Sequence, residues 1–197
     1  MRLTQHSQLK AIPSGQPGVE VTLKIMADLC ETYRKDIAVR ETALRVVRRC
    51  DQKDYAAEVA AIHAYVRDDV SYRGDVRDVE TLQSPDYTLR MQAGDCDDKS
   101  LLVACLLESI GYKTRFVAIG TEPGIYSHVY AQVFAGNKWV SLETTEPVSV
   151  GWSVPASEVK IQFVQHVGET GGAVPLVPVP LFWGVVLFAL VYWRKRL

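Results

Sequence analysis

The sequence lacks most of the features from which a function is usually read. Its 22 basic and 23 acidic residues leave a formal net charge of -1, so no basic field exists to draw it to nucleic acid. The four cysteines, Cys30, Cys50, Cys96 and Cys105, include no Cys-x-x-Cys pair, and the closest two stand nine residues apart. That spacing excludes a zinc-type ligand set, and no cofactor is expected. Residues 1–20 hold no apolar stretch of signal-peptide length, so nothing there argues for export. A chain of 197 residues is long enough for one domain with a proper core and short for two.

What is present centres on Gly94-Asp95-Cys96-Asp97-Asp98, directly ahead of an apolar run from Leu101 to Ile110. The run predicts a buried central helix from about Asp97 to Ile110, capped by Gly111. A thiol in the first turn of such a helix faces unpaired backbone N–H groups and the positive end of the dipole, both of which favour thiolate. Cys96 is therefore the candidate nucleophile. Cys30, Cys50 and Cys105 fall on apolar helix faces and are expected in the core. Asp95, Asp97 and Asp98 oppose thiolate formation by their charge, and their expected role is structural, as caps of the helix N-terminus. Their near-adjacent spacing lacks the alternation of a calcium loop, and no metal site is assigned to them.

Helical spacing predicts three helices upstream: from Pro17 to about Tyr33, from Ile37 to Cys50, and from Asp54, a plausible N-cap, to Val70. In the last, Tyr55, Val59, Ile62 and Val66 are expected to face inward, with His63 beside them as a structural or exposed residue. From Ser71 to Ala93 the periodicity disappears, which predicts a long irregular segment. After Gly111 the period changes to two, giving strands from Thr114 to Ile119, His128 to Phe134 and Lys138 to Glu143.

The last two strands are joined by Gly136-Asn137, and a two-residue turn there sets their register. Ala135 then pairs with Lys138, and Tyr130 lies opposite Glu143. His128 shares a face with Tyr130 and is diagonal to Glu143, at a backbone separation of roughly 7–8 Å that the two side chains can close. The sequence thus places an imidazole beside a carboxylate, downstream of a thiol at a helix start. Those are the parts of a nucleophilic triad.

The order of helix, Gly94-Asp95-Cys96-Asp97-Asp98, apolar helix, strand, His128-Val129-Tyr130-Ala131, hairpin and Trp139-Val140-Ser141-Leu142-Glu143 resembles the transglutaminase-like superfamily of papain-like cysteine enzymes. The match spans about Tyr55 to Pro147. The resemblance implies an α+β fold with a papain-like, transglutaminase-like core, in which N-terminal helices and the cysteine helix pack on a small antiparallel sheet. It implies Cys96 as nucleophile, His128 as base and Glu143 as third member, where many members carry aspartate. The extra methylene of glutamate changes reach, not charge. Trp139 is expected to pack. The implied chemistry is hydrolysis or acyl transfer on an amide or peptide bond through a thioester, with a protein or peptide as substrate. The backbone N–H of Cys96 is the expected first oxyanion donor, and Gln92 the side chain nominated as second, with Gln83 and Tyr72 as the others in reach.

Residues 1–18 are expected as a flexible lead-in, 19–167 as the catalytic domain with its helical N-terminal part, and 168–180 as a Gly/Pro linker. Residues 181–197 complete the chain as an apolar helix. From Leu181 to Trp193 the residues are uninterruptedly apolar, and Arg194-Lys195-Arg196 follows. Taken from Ala173, the segment is long enough to span a membrane, with Trp183, Tyr192 and Trp193 as interfacial anchors. The alternative is a tail that packs against neighbouring subunits of an assembly, as in a non-catalytic phage virion or tail component keeping the same fold.

Overall fold

The computed structural model describes residues 16–74 and 81–168. Residues 1–15 of the expected lead-in, 169–180 of the expected linker and the 181–197 tail therefore lie outside the described residues, while 16–18 of the lead-in already belong to the first helix. Among those described, no helix is long and apolar enough to cross a membrane.

Three helices open the fold: α1 (Gln16–Tyr33), α2 (Ile37–Val47) and α3 (Tyr55–Ala64). Asp36 and Asp54 cap the second and third, accepting backbone N–H groups that a helix start leaves unpaired. The chain does not continue as α-helix to Val70, because Tyr65–Asp69 widens into a π-helix. Short strands β1 (Ser71–Tyr72) and β2 (Ala93–Gly94) then pair in parallel. Between them lies α4 (Pro85–Met91), so the segment expected to be irregular contains a helix. Seven residues with proline at the first turn give too little periodicity to register as one.

Helix α5 (Cys96–Ser109) is the centre of the core. Leu101, Leu102, Val103, Ala104, Cys105, Leu106 and Leu107 are all 0% exposed. It ends in a Schellman turn: the Tyr112 N–H donates to Leu107 O and the Gly111 N–H to Glu108 O, with Gly111 at φ +103. Strands β3 (Thr114–Gly120), β4 (His128–Ala135), β5 (Lys138–Leu142) and β6 (Ile161–His166) form an antiparallel sheet in the order β5-β4-β3-β6. The fourth strand, β6, was not anticipated from the sequence.

Alternate positions of the strands divide the sheet. Phe116, Ala118, Ala131, Val133 and Leu142 face the helices in the main core, while Val117, Ile119 and Tyr130 build a smaller cluster on the other face. Cys30 and Cys105 are fully buried, whereas Cys50 is only half-buried. Tyr55, expected inward, is 60% exposed and sets its ring edge-on against Tyr112.

Candidate active site

Helix α5 starts at Cys96 itself, one residue earlier than the apolar run indicated, because Asp95 closes a capping box with Asp98. The Asp98 N–H donates to Asp95 Oδ1 at 3.3 Å and the Asp95 N–H to Asp98 Oδ2 at 3.4 Å. Asp97 Oδ1 accepts the Asp98 N–H at 3.0 Å, and Asp98 Oδ1 accepts the Gln83 N–H at 2.6 Å. Donor atoms of the three carboxylates lie within 4.8 Å of one another. Each carboxylate thus spends oxygens on backbone N–H groups around the helix start. Gly94 makes the close turn possible: a Cβ there would sit 2.6 Å from Asp98 Cβ.

The half-buried Cys96 sulfur rests against strand β4. The N–H of Val129, the residue after His128, lies on the sulfur, and one turn along the helix Ser100 Oγ donates to Val129 O at 3.1 Å. Val129 lies beyond the last residue of β5 that pairs with β4, so the helix supplies the partners a longer strand would have offered. This docking sets the thiol next to the start of β4.

The register of β4 and β5 pairs Ala135 with Lys138 and Ala131 with Leu142, as the two-residue turn requires. His128 and Glu143 fall on one face and meet, His128 Nε2 to Glu143 Oε2 at 2.5 Å. The other oxygen, Oε1, accepts the N–H of Thr145 at 2.7 Å and its hydroxyl at 2.6 Å. The longer glutamate side chain is thereby held at both oxygens while 2% exposed. Burial raises its pKa, but the hydrogen bonds from His128 and Thr145 and the His128 charge outweigh that, holding it below the usual carboxylate value.

Two residues that sequence reasoning did not assign to the site lie behind it. His63, 1% exposed, bonds the backbone carbonyl of Glu143 through Nε2, and burial holds its pKa below the ordinary imidazole value. Lys99, 2% exposed, donates to Val70 O at 2.6 Å and Arg67 O at 3.3 Å, closing the end of the π-helix. Burial lowers its pKa, opposed by the charges of Glu143 and Asp68. Arg67 also donates to Val148 O at 2.7 Å, so the α3 to π-helix segment grips the Glu143–Val148 segment just past β5 at two points. A lysine inside an apolar helix, three residues after the cysteine, was the one visible sign of this packing.

Gln92, nominated as an oxyanion donor, is the left-handed cap of α4 at φ 51. Its Nε2 donates to Leu89 O at 2.6 Å and to Tyr65 Oη at 3.4 Å, so its amide hydrogens are committed away from the thiol. Trp139 packs as expected, beneath the Arg115 guanidinium at 4.3 Å.

Opposing influences act on Cys96. Burial, followed by the charges of Asp97 and Asp95, pushes the thiol up to about 12, and the N–H groups of Val129 and Asp97 pull back only in part. The site is thus a protonated thiol at a helix N-terminus next to a strand that carries an imidazole oriented by a buried carboxylate.

The model of the transglutaminase-like superfamily matches residues 40–144, more than half of the chain, and the chain belongs to that superfamily. The match supports a family of cysteine hydrolases and transferases. A candidate protease from Parabacteroides distasonis has a similar fold, with a TM-score of 0.56 and 13% identity over 81% of this chain and 32% of that one. A chain of the Rad4/XPC nucleotide excision repair complex aligns with a TM-score of 0.51 and 9% identity, over 75% of this chain and 45% of that one. A candidate cysteine protease from Cytophaga hutchinsonii aligns with a TM-score of 0.48 and 15% identity, over 77% of this chain and 56% of that one. The chain spans between about a third and just over half of these proteins. No curated protein matches its sequence.

Proposed function

We propose that the protein is a thiol hydrolase or acyl transferase acting on an amide or peptide bond, with Cys96 as nucleophile, His128 as base and Glu143 as its orienting carboxylate. The observation that carries this reading is the doubly held Glu143: Oε1 on Thr145 and Oε2 on His128 Nε2 at 2.5 Å, which leaves Nδ1 of the ring for the thiol. With the thiol pushed up to about 12, the sulfur is protonated at rest. The proton therefore leaves sulfur as the C–S bond forms. His128 takes it, Glu143 stabilises the imidazolium, and the proton passes to the leaving amine to give a thioester. Water then gives hydrolysis, and a lysine amine gives a crosslink. Hydrolysis is the favoured outcome, since crosslinking needs an amine pocket that excludes water.

The test uses p-nitrophenyl acetate as acyl donor. An acetyl adduct on Cys96, detected by intact mass and absent from Cys96→Ala and His128→Ala, is the expected result. Absence of any adduct on wild type sinks the reading. A second, non-catalytic reading is favoured by one observation, the carboxylates that raise the thiol pKa. It predicts no adduct and no change in thiol labelling with His128→Ala. We further propose that residues 181–197 attach the domain to a membrane or to neighbouring subunits of an assembly.

A further inference from the structure

We propose that Arg115 anchors a docking site for an acidic peptide segment of a partner protein, on the face of the sheet turned away from α5. This site is separate from the thiol chemistry proposed above and does not depend on it.

Strand register builds the site. Arg115 pairs with Gln132 of β4 on one side and with His166 of β6 on the other, and Gln132 pairs with Ser141 of β5. Alternate residues of a strand share a face, so Arg115 lies on the side of Val117 and away from Phe116, which is in the main core. Gln132 is four residues along β4 from His128, or about 13 Å at the rise of an antiparallel strand.

The Arg115 side chain is held in place but not neutralised. Its Nε donates to Gln132 Oε1 at 2.7 Å, and Gln132 Nε2 donates in turn to Ser141 Oγ at 3.1 Å. The guanidinium lies over the Trp139 ring at 4.3 Å, and that ring meets Phe134 and His166 edge-on, with centroids 5.3 and 5.1 Å away. Nε is only one source of donors on a guanidinium. Nη1 and Nη2 have no acceptor among the described residues, and no carboxylate there pairs with Arg115. Burial already works against the charge. A planar guanidinium fixed by one bond and one stacked ring, with its outer nitrogens unspent, is suited to take a carboxylate in two parallel hydrogen bonds.

The neighbours narrow the class of occupant. A cavity of about 520 Å³ opens beside Trp139, lined among others by Lys113, Phe134, His166 and Arg34. Its two carboxylates, Glu31 and Glu108, are both engaged by Arg34, at 2.8 and 3.3 Å. Lys113 is exposed and, like Arg115, has no carboxylate partner among the described residues. The uncompensated charge here is therefore positive, in a chain whose net charge is -1. Phe134 is 41% exposed on the same face as Trp139. Arginine beside aromatic rings is the composition of a protein-binding hot spot, whereas inorganic phosphate would use the cations and leave the rings idle. An acidic segment that also carries apolar side chains uses both, with its carboxylate on Arg115 and its apolar groups on Phe134 and Trp139.

The experiment measures, by anisotropy at low salt, how the full chain binds a fluorescein-labelled peptide of alternating glutamate and leucine. Arg115→Gln should weaken binding by about tenfold or more, through the loss of hydrogen bonds to a charged group. Arg115→Lys keeps the charge and gives up the fork, so it should recover only part of that loss, and it decides the matter if Arg115→Gln does not fold. Phe134→Ser should also weaken binding, which a purely electrostatic contact would not show. Iodoacetamide labelling of Cys96 should keep its wild-type rate in all three variants. Equal affinity of wild type and both Arg115 variants would overturn the assignment. So would a wild type that does not bind the peptide, whether or not it binds inorganic phosphate or anionic vesicles. Either result leaves the cysteine chemistry standing, and a failure to acylate Cys96 leaves this site standing.

Discussion

Cys96 occupies the helix position at which a dipole and free N–H groups usually lower a thiol pKa, yet its pKa is pushed up to about 12. Burial and two carboxylates outweigh the dipole, which acts only over the first turn. Thiolate is then scarce at neutral pH, and under the proposed chemistry reactivity comes through His128. Asp97→Asn removes one of the opposing charges and keeps the oxygen that accepts the Asp98 N–H. It should shift the iodoacetamide labelling profile to lower pH, each unit being worth tenfold in thiolate. A profile that stays put would show that the Asp97 charge does not reach the sulfur. Thr145→Val keeps the backbone N–H on Glu143 and removes the hydroxyl, a bond to a charged acceptor worth about 1.5–3 kcal/mol. Urea unfolding should show a loss of that order, together with slower acylation.

At the scale of elements, the grip of α3 and the π-helix on the segment just past β5 has a pH signature. His63 has a folded-state pKa below its ordinary 6.5, so the unfolded chain binds a proton that the native state refuses. The contribution is fully present above about 6.5 and is lost as pH falls from that value. Glu143, also lowered, adds a second loss at lower pH, below its ordinary 4.5. His63→Gln keeps a donor for the Glu143 carbonyl and cannot titrate. Its urea midpoint should stay level across the window just below 6.5, where the wild-type midpoint falls. Equal slopes would remove His63 from the acid response.

The same elements show what a sequence discloses. The hairpin was legible because a two-residue turn fixes register, and register with period two fixes which side chains share a face. Helix α5 was legible because it is apolar nearly all round. The α4 helix and strand β6 were not, since one is shorter than two helical turns and the other pairs with a strand far away in sequence. His63 and Lys99 were equally hidden as partners of the site. Their contacts, such as His63 to Glu143 and Lys99 to Val70, depend on how separate elements come together, and no local period encodes that.

On the scale of the whole molecule, the described residues form a helical half and a sheet half joined through α5, and none of their helices could cross a membrane. The proposed attachment rests on residues 173–197, whose apolar run and terminal basic residues suit an anionic surface. Deleting that segment should abolish co-sedimentation with anionic vesicles and leave Cys96 labelling unchanged. Persistent binding would place the membrane contact elsewhere.

The docking of α5 onto Val129 carries one more consequence. His128 and Glu143 belong to a single hairpin whose pairing is local, whereas Cys96 reaches it only when the helix seats across β4. Local contacts form at low loop-closure cost, and distant ones come later. A chain emerging from synthesis, or one fraying under stress, would hold an acid–base pair without its sulfur, or a sulfur without its base. Under the proposed thiol chemistry, reactivity is thereby a property of the finished assembly alone.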